Sequence, residues 1–272
     1  MAAISRNARL VWRVWVFTMR SFLASEFFIL TAVLQPVIFA SIAFFMFQAG
    51  GEAAGEHTLL YAALGTGMMG VWSTTLFGCG GAIQWHRWEG TLELLVAAPS
   101  RYDMVLLGQT LGASAFGFYS IVATIVWGML LFGMPLNADY PLLLPVALLV
   151  SIVSLGCLGM LLGTSFVLYR HANALSNLLE YPIWIVTGMI VPLALLPGWL
   201  GPISWLLVPT WAMEAIRVSA LADSPSILSS GGPPLLAIGL CLVLAVVYYL
   251  IARRVLRFVL DKARRDATLA LA

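Results

Sequence analysis

The sequence predicts an all-α membrane protein with six transmembrane helices, and three observations lead to this fold class. Of the 272 residues, 61% are hydrophobic and only 10% are charged, whereas soluble domains are about half apolar and a quarter charged. Six apolar stretches reach the length of about 20 residues that a membrane helix needs. All of the 14 basic residues except Arg217 fall in alternate segments outside these stretches or, for Arg253 and Arg254, at the end of the last stretch next to such a segment, as positively charged residues on the cytoplasmic side do.

The predicted spans are residues 27–47, 59–83, 104–132, 142–168, 175–196 and 234–255. The basic residues place both termini in the cytoplasm. Frequent Ala, Leu and Arg, with Lys262 as the only lysine, is typical of a GC-rich bacterial genome. We therefore expect a multi-pass protein of the bacterial cytoplasmic (inner) membrane, with residues 1–272 forming a single transmembrane domain. The net charge of +2 gives no indication of a nucleic-acid partner.

Residues 1–25 precede the first span and have an amphipathic pattern. Helical spacing places basic and apolar residues on opposite faces. The basic face has Arg6, Arg9, Arg13 and Arg20, and the apolar face has Val11, Trp15, Met19 and Phe22. This pattern predicts a helix in the cytoplasmic interface, with its arginines among lipid headgroups. An ordinary basic flank that only sets the topology is the alternative.

Charged residues are concentrated between the second and third spans, at residues 84–101. Gly90 followed by Thr91 can end one helix and cap the next, Glu93 suits the first turn of that helix, and Pro99 would stop it. Ser100 and Asp103 are typical of the start of the third span's helix. On a helical wheel, Trp85, Trp88, Leu92, Leu95 and Val96 share one side, and Arg87, Glu89, Glu93 and Leu94 lie elsewhere. An apolar residue on a polar cytoplasmic face predicts a protein partner.

Two further patterns concern helix packing and helix interruption. Small residues recur four apart at Gly108–Gly112, Ala113–Gly117 and Gly159–Gly163, which allows helix backbones to approach closely. Residues 197–221 are apolar but interrupted by Pro197, Gly198, Gly201, Pro202 and Pro209. Because irregular backbone at membrane depth must be buried or line a cavity, this segment predicts a re-entrant pair of short helices. A loose interfacial loop is the alternative.

The stretch "EGTLELLVAAPSRYDMVLLGQ" resembles the intracellular-loop signature of type-2 permeases of ATP-binding-cassette exporters. The matching residues are Gly90, Thr91, Glu93, Leu94, Leu95, Pro99 and Gly108. Gln109 stands where a lysine is usual, and Trp85–Trp88 replaces a more uniformly charged lead-in. The segment "GMIVPLALLPGWLGPISWLLVPTWAMEAIR" is similar to the family's re-entrant turn, with Pro197, Gly198, Pro202, Pro209, Glu214 and Arg217 as its marked residues.

The resemblance implies a membrane-spanning permease subunit that moves substrates out of the cytoplasm or inner leaflet. Its partners would be two cytoplasmic ATPase subunits, a second permease copy or paralogue, and membrane lipids. ATP and Mg would be held by the partner, with no cofactor in this chain. The ATPase-coupling residues would be Arg87, Glu89, Gly90, Thr91, Glu93, Leu94, Leu95, Pro99 and Arg101.

The sequence also bears on three other functions: ATPase activity, gradient-driven transport and catalysis within the membrane. A phosphate-binding loop needs Gly-Lys-Ser/Thr, but the only lysine follows Asp261, so we expect transport rather than ATPase activity. A gradient-driven transporter usually has internal repeats, and none is visible here. A membrane-embedded enzyme needs several convergent titratable groups. Glu180 is the only carboxylate near a span interior, where a charge costs about 2.5–3.5 kcal/mol, and a capping role would explain it equally well.

Short external loops favour a small amphipathic, drug-like or lipid-like substrate over a bulky glycan. Its pathway would be lined by polar residues of the first, second and fifth spans, namely Gln35, Thr66, Ser73, Asn177 and Thr187. Hydrogen bonds between packed helices are the alternative role for each of them. The cysteines and histidines lack metal-ligand spacing, so no metal site is expected.

Overall fold

The computed structural model describes residues 2–49, 56–90, 101–133, 138–168, 172–191, 193, 196–221 and 234–266. Within these ranges the regular structure is helical, with no strand. The helices are α1 (Ala2–Ala24), α2 (Glu26–Ala49), α3 (Glu56–Trp88), α4 (Tyr102–Phe132), α5 (Leu143–Leu168), α6 (Ala172–Val186), α7 (Gly201–Leu206), α8 (Val208–Ala220) and α9 (Pro234–Asp266), with a 3₁₀ turn at Gly198–Leu200. The all-α prediction is therefore confirmed for the described part of the chain.

Three of the described helices are long and apolar enough to cross a membrane. They are Tyr102–Phe132, Leu143–Ser165 and Pro234–Val259, and they coincide with the predicted third, fourth and sixth spans. Large apolar side chains such as Leu130, Leu149 and Val246 are exposed on their outer sides, as expected where lipid replaces water. The chain is thus a multi-pass membrane protein. Helices α2 and α3 occupy the first two predicted spans, and the total of six stays a prediction.

The predicted fifth span, residues 175–196, is wrong as a single continuous helix. Helix α6 has only 15 residues, which at 1.5 Å per residue is about 22 Å, less than the hydrocarbon core of about 30 Å. It ends because Gly188 adopts φ +80. The amides of Gly188 and Met189 then bond back to the carbonyls of Ile185 and Trp184, which is the Schellman arrangement of a helix C-terminus.

Helix α3 is the centre of the packing. Its buried side chains Leu64, Met68, Trp72 and Leu76 recur every four residues, and it contacts α2, α4, α5, α6 and α8. At Gly117 of α4, a side-chain Cβ would lie 2.6 Å from the Cα of Val71. The backbones of α3 and α4 are therefore too close for any larger residue, which is the close approach that the small-residue spacing predicts.

Helix α1 packs along the first half of α4. A Cβ at Gly108 would lie 2.8 Å from Cβ of Val14, and one at Gly112 would lie 2.8 Å from Cβ of Thr18. Phe22 is buried near the end of α1, where its ring meets the ring of Phe116 at 5.4 Å. The arginine face is exposed: Arg6, Arg9, Arg13 and Arg20 all point away from the bundle. The location of this helix at the membrane interface stays a prediction.

The segment 197–221 forms two short helices, α7 and α8, after the 3₁₀ turn. Every residue of α8 is buried, because it packs between α5 and α9. The indole Nε1 of Trp211 donates to the carbonyl of Trp205 at 2.7 Å, and the hydroxyl of Tyr248 donates to the carbonyl of Leu206 at 2.8 Å. These bonds fix the break between the two helices. Their entry into the membrane from the outer face stays a prediction.

Candidate functional site

A buried polar cluster joins helices α2, α3 and α6. The hydroxyl of Ser73 donates to Oε1 of Glu180 at 2.5 Å, and the Gln35 side chain also hydrogen-bonds to this carboxyl. Glu180 is only 3% exposed. Two of the five predicted pathway residues, Gln35 and Ser73, are therefore brought together by a carboxylate that was not among them.

The other three predicted pathway residues lie apart from this cluster. Thr66 donates to the carbonyl of Ala62 at 2.7 Å, and Thr187 donates to the carbonyl of Ile183 at 2.6 Å. Both are buried and bond four residues back along their own helix, a common arrangement for threonine in apolar helices. Asn177 is exposed on α6. The geometry thus joins Gln35 and Ser73, while the hydroxyls of Thr66 and Thr187 bond within their own chain segments.

One face of α6 is exposed in the single chain. Its large side chains include Leu178, Tyr181 and Ile185, which are 67%, 57% and 46% exposed, and Asn177 lies on the same side. The opposite face, which carries Glu180, packs against α3. A membrane helix of this kind can present its exposed face to lipid or to another protein subunit.

A second buried polar cluster involves two of the marked residues of the re-entrant segment. Arg217 donates from Nη2 to Oε2 of Glu214, and both side chains are at least 98% buried. The guanidinium carbon of Arg217 lies 5.5 Å from the ring centroid of Tyr61, a distance suited to a cation–π contact. The hydroxyl of Tyr61 donates to the carbonyl of Gly188 at 2.8 Å. This cluster therefore connects α3, α8 and the end of α6.

Pro197, Gly198 and Pro202 are exposed at the start of the same segment, whereas Pro209 is buried in α8. Pro202 and Pro209 each occupy the first turn of a short helix, where a missing amide N–H costs nothing. These positions explain how two helices can begin so soon after each other in an apolar segment.

The predicted coupling region, which comprises residues 87–101, is only partly within the described residues. Helix α3 ends at Trp88, and Gly90 adopts φ +66, as the Gly90–Thr91 pair predicts for a helix end. Glu89 and Gly90 are exposed, and Arg87 is the penultimate residue of α3. Thr91, Glu93, Leu94, Leu95 and Pro99 lie outside the described residues.

The start of α4 is held by charged residues. Arg101 occupies the N-cap position, so the helix begins one residue later than Ser100 predicts. Asp103 in the first turn pairs with Nη2 of Arg101 at 2.7 Å and with Nε of Arg253 at 3.4 Å. The hydrogen bonds that Arg101 donates to the Asp103 carboxylate raise the pKa of Arg101. This ion-pair group connects the end of the coupling region to the C-terminal half of α9.

A neighbouring contact joins His86 to Gln109. Nε2 of His86 lies 3.1 Å from the amide nitrogen of Gln109. Burial lowers the pKa of His86, and the carboxylate of Glu89 acts in the opposite direction. A neutral imidazole can accept the amide hydrogen of Gln109 through this nitrogen. The contact bridges the C-terminal end of α3 and the N-terminal part of α4.

Sequence reasoning missed the partners in both buried clusters. Glu180 stands out as a lone carboxylate in an apolar stretch, but nothing in the sequence says that Ser73 lies against it. The spacing of Glu214 and Arg217, three apart on one helix, was the available signal for their ion pair. Among the residues that the structure describes, no three His, Cys, Asp or Glu side chains gather as a metal site would require.

Comparison with known protein families gives one match. The sequence model of the family described as ABC-2 type transporter matches residues 9–221, well over half of the chain. The match includes the coupling region, the Glu180 cluster and helix α8. No curated protein matches the chain.

Proposed function

Because the chain belongs to the ABC-2 type transporter family and is a permease subunit of an ATP-binding-cassette transporter, we propose that it exports its substrate. The substrate would be a small amphipathic, drug-like or lipid-like molecule taken from the cytoplasm or the inner leaflet. The observation that supports this best is the extent of the family match, which runs from α1 through α8 without omitting the coupling region.

The energy for export would come from separate ATPase subunits. The only lysine, Lys262, follows Asp261, so these 272 residues contain no Gly-Lys-Ser/Thr phosphate-binding loop. Two ATPase subunits would bind beneath the membrane and hold the ATP and Mg. Both termini of the permease would face the same compartment, the bacterial cytoplasm, because the basic residues concentrate on that side.

The coupling residues would transmit ATPase motion to the membrane helices. The coupling region connects α3 to α4, and these helices pack so closely at Gly117 that they can move as one body. At its far end, Asp103 ties α4 to Arg253 of α9. Arg87, Glu89, Glu93 and Leu94 would form the contact with the ATPase.

The exposed face of α6 supports a second permease copy or paralogue as the partner within the membrane. Asn177 and Tyr181 would then face the subunit boundary, close in the chain to Glu180. A substrate route along this boundary would pass Gln35 and Ser73 on the adjoining helices. The hydroxyls of Thr66 and Thr187 already donate to backbone carbonyls four residues earlier. These two residues would therefore contribute to the route only through the polarity of that hydroxyl–carbonyl pair.

Co-purification and reconstitution test this proposal together. The tagged chain is extracted from its native membrane, and the accompanying proteins are identified. We expect an ATP-binding-cassette ATPase, and substrate movement in proteoliposomes that requires ATP hydrolysis. Substrate movement driven by a proton or sodium gradient in the absence of any ATPase would instead assign the chain to the gradient-driven class.

The same preparation tests the coupling region with Leu94→Asp. A buried apolar anchor can contribute 2 kcal/mol or more to an interface, so this change should reduce ATPase retention or transport per ATP hydrolysed. Glu93→Ala is the milder comparison, because a charge at the rim of an interface contributes less. If Leu94→Asp assembles and couples like the parent protein at an unchanged melting temperature, the coupling contact lies elsewhere.

A further inference from the structure

The Glu180 carboxyl is buried among apolar helices, and no basic side chain pairs with it within the described part of the chain. Both of its contacts are made by neutral donors, the Ser73 hydroxyl and the Gln35 amide. The ion pairs among the described residues join other groups, at Arg101, Asp103, Arg217, Glu214 and Arg253. An ionised carboxylate only accepts hydrogen bonds, so these donors suit its charged form without neutralising it. Charged groups in membrane segments usually pair with an opposite charge or line a pathway.

Two further buried polar atoms lie on the same face of α6. Ser176 and Trp184 are one helical turn before and after Glu180, which places all three on one side of the helix. The Oγ of Ser176 and the Nε1 of Trp184 have no hydrogen-bond partner within the described part of the chain, although both residues are at least 98% buried. Buried polar atoms normally have partners, and orphaned atoms point to a bound molecule or to a functional role.

Aromatic rings surround this face. The indole of Trp184 meets Phe39 edge-on at a centroid distance of 5.4 Å and Tyr181 at 5.0 Å. Tyr181 is exposed on the outer side of α6, so its contact with Trp184 links the buried face of the helix to the exposed one. Aromatic faces attract cations, with tryptophan the strongest of the three ring types. A carboxylate that shares a helix face with a tryptophan one turn away offers the chemistry that recognises an organic cation.

The helix is also locally weakened at this point. Pro182 lies inside α6 and has no amide N–H, so the carbonyl of Leu178 loses its helical hydrogen bond. This backbone acceptor is two residues before Glu180, about half a helical turn away. A proline there also allows the helix to bend, which would open the way from the exposed face to the buried carboxyl.

From these observations we propose that Glu180, with Trp184 and Tyr181, binds the positively charged group of the transported molecule. The substrate class is an amphipathic organic cation, such as a hydrophobic amine or a quaternary ammonium or phosphonium compound. The inference rests on the proposed export function, because it assigns the substrate chemistry of the same membrane pathway. It gives the Ser73 and Gln35 contacts the role of orienting the carboxylate.

Equilibrium dialysis with tetraphenylphosphonium tests the site on the full-length permease in lipid nanodiscs. Tetraphenylborate, which has nearly the same shape and the opposite charge, is the ligand control. We expect saturable binding of the cation and no saturable binding of the anion to the wild-type protein. Because the dipole potential of the bilayer favours the anion, binding of each ion is measured relative to empty nanodiscs, and no saturable cation binding above that background would overturn the proposal without recourse to any variant.

Variants then assign the binding to the carboxylate. Glu180→Gln keeps the side-chain shape and should weaken tetraphenylphosphonium binding at least tenfold, whereas Glu180→Asp should retain part of it. Glu26→Gln is the matched control, because it makes the same chemical change at an exposed carboxylate in the first turn of α2, and should bind like wild type. Undiminished binding by a folded Glu180→Gln would assign the cluster to helix packing alone.

The binding assay uses neither ATP nor an ATPase, so it separates this inference from the proposed function. Cation binding that depends on Glu180, in a protein without ATP-driven transport, would support the site and contradict the export function. ATP-driven transport by a protein that does not distinguish the cation from the anion would support the export function and contradict this inference.

Discussion

Arg217 is the only basic residue that the charge pattern predicts to lie on the outer side of the membrane, and its surroundings neutralise its charge. Its guanidinium pairs with Glu214 and lies over the ring of Tyr61. It therefore adds no net charge to the external surface. The charge asymmetry that predicts orientation is carried by exposed arginines such as Arg6 and Arg13, and a buried neutralised pair does not oppose it.

A double-mutant cycle at this pair should show strong coupling. Removing one partner leaves the other charge buried without compensation, which typically destabilises by about 3–5 kcal/mol. We expect Glu214→Gln and Arg217→Gln each to lower the melting temperature markedly. The double variant should be less destabilised than the sum of the two changes. Thermal unfolding in one detergent measures all four proteins, and strictly additive effects would contradict a direct ion pair.

The contact between His86 and Gln109 joins the two places where the sequence departs from the family pattern. Gln109 replaces a lysine, and His86 belongs to the lead-in that is less charged than usual. Their side chains lie 3.1 Å apart, and the lowered pKa of His86 keeps the imidazole neutral near pH 7. A hydrogen bond between two neutral side chains thus connects the C-terminal end of α3 to α4. The sequence shows both departures but gives no indication that they touch.

At the scale of the helix, glycine positions decide which helices can approach. Gly117 faces the backbone of Val71 across the contact of α3 and α4, while Gly239 of α9 has no atom within 4 Å of the position where a Cβ would lie. The spacing of small residues predicts that close contacts exist. It does not identify the partner helix, because the same spacing suits any neighbour.

Matched alanine substitutions test this difference. Gly117→Ala forces the two backbones apart, and overpacking of this kind typically costs about 1–3 kcal/mol. Gly239→Ala replaces a glycine in a helix with the best helix former at an open position, so it should be neutral or stabilising by about 0.5–1 kcal/mol. Melting temperatures of both variants measure the effect. Equal responses would show that the contact between α3 and α4 is not as close as described.

Helix existence was predictable here, and helix termination was less so. Apolar length located the helices, because lipid-facing and buried positions are both apolar in a membrane protein. The same signal failed at α6, where apolar residues continue to residue 196 but the helix stops at Val186. Termination depends on the left-handed conformation of Gly188, which a hydropathy pattern does not contain. Glu180 stood out in the sequence, but its partners required the folded structure.

For the whole molecule, orientation is the most accessible prediction. Single cysteines at Gly51 and Ser229 should react with an impermeant thiol reagent added to intact cells, and one at Ser100 should react only after permeabilisation. The background replaces the native Cys79, Cys157 and Cys241, which are buried and unpaired. The physical reason is the concentration of arginines on the side that includes Arg101. Labelling of the Ser100 position in intact cells would reverse the orientation.

The packing of α1 against α4 has a consequence for how the protein is made. Gly108 and Gly112 of α4 contact Val14 and Thr18 of α1. These glycines leave the ribosome long after Val14 and Thr18 have emerged. During that interval the N-terminal helix lacks its main partner and can contact only α2, so its arginines and tryptophans can hold it on the lipid surface. Insertion of α4 would then convert a peripheral helix into an integral one. Because α1 is synthesised before α4, we expect the anionic membrane surface to hold the first helix until α4 is inserted.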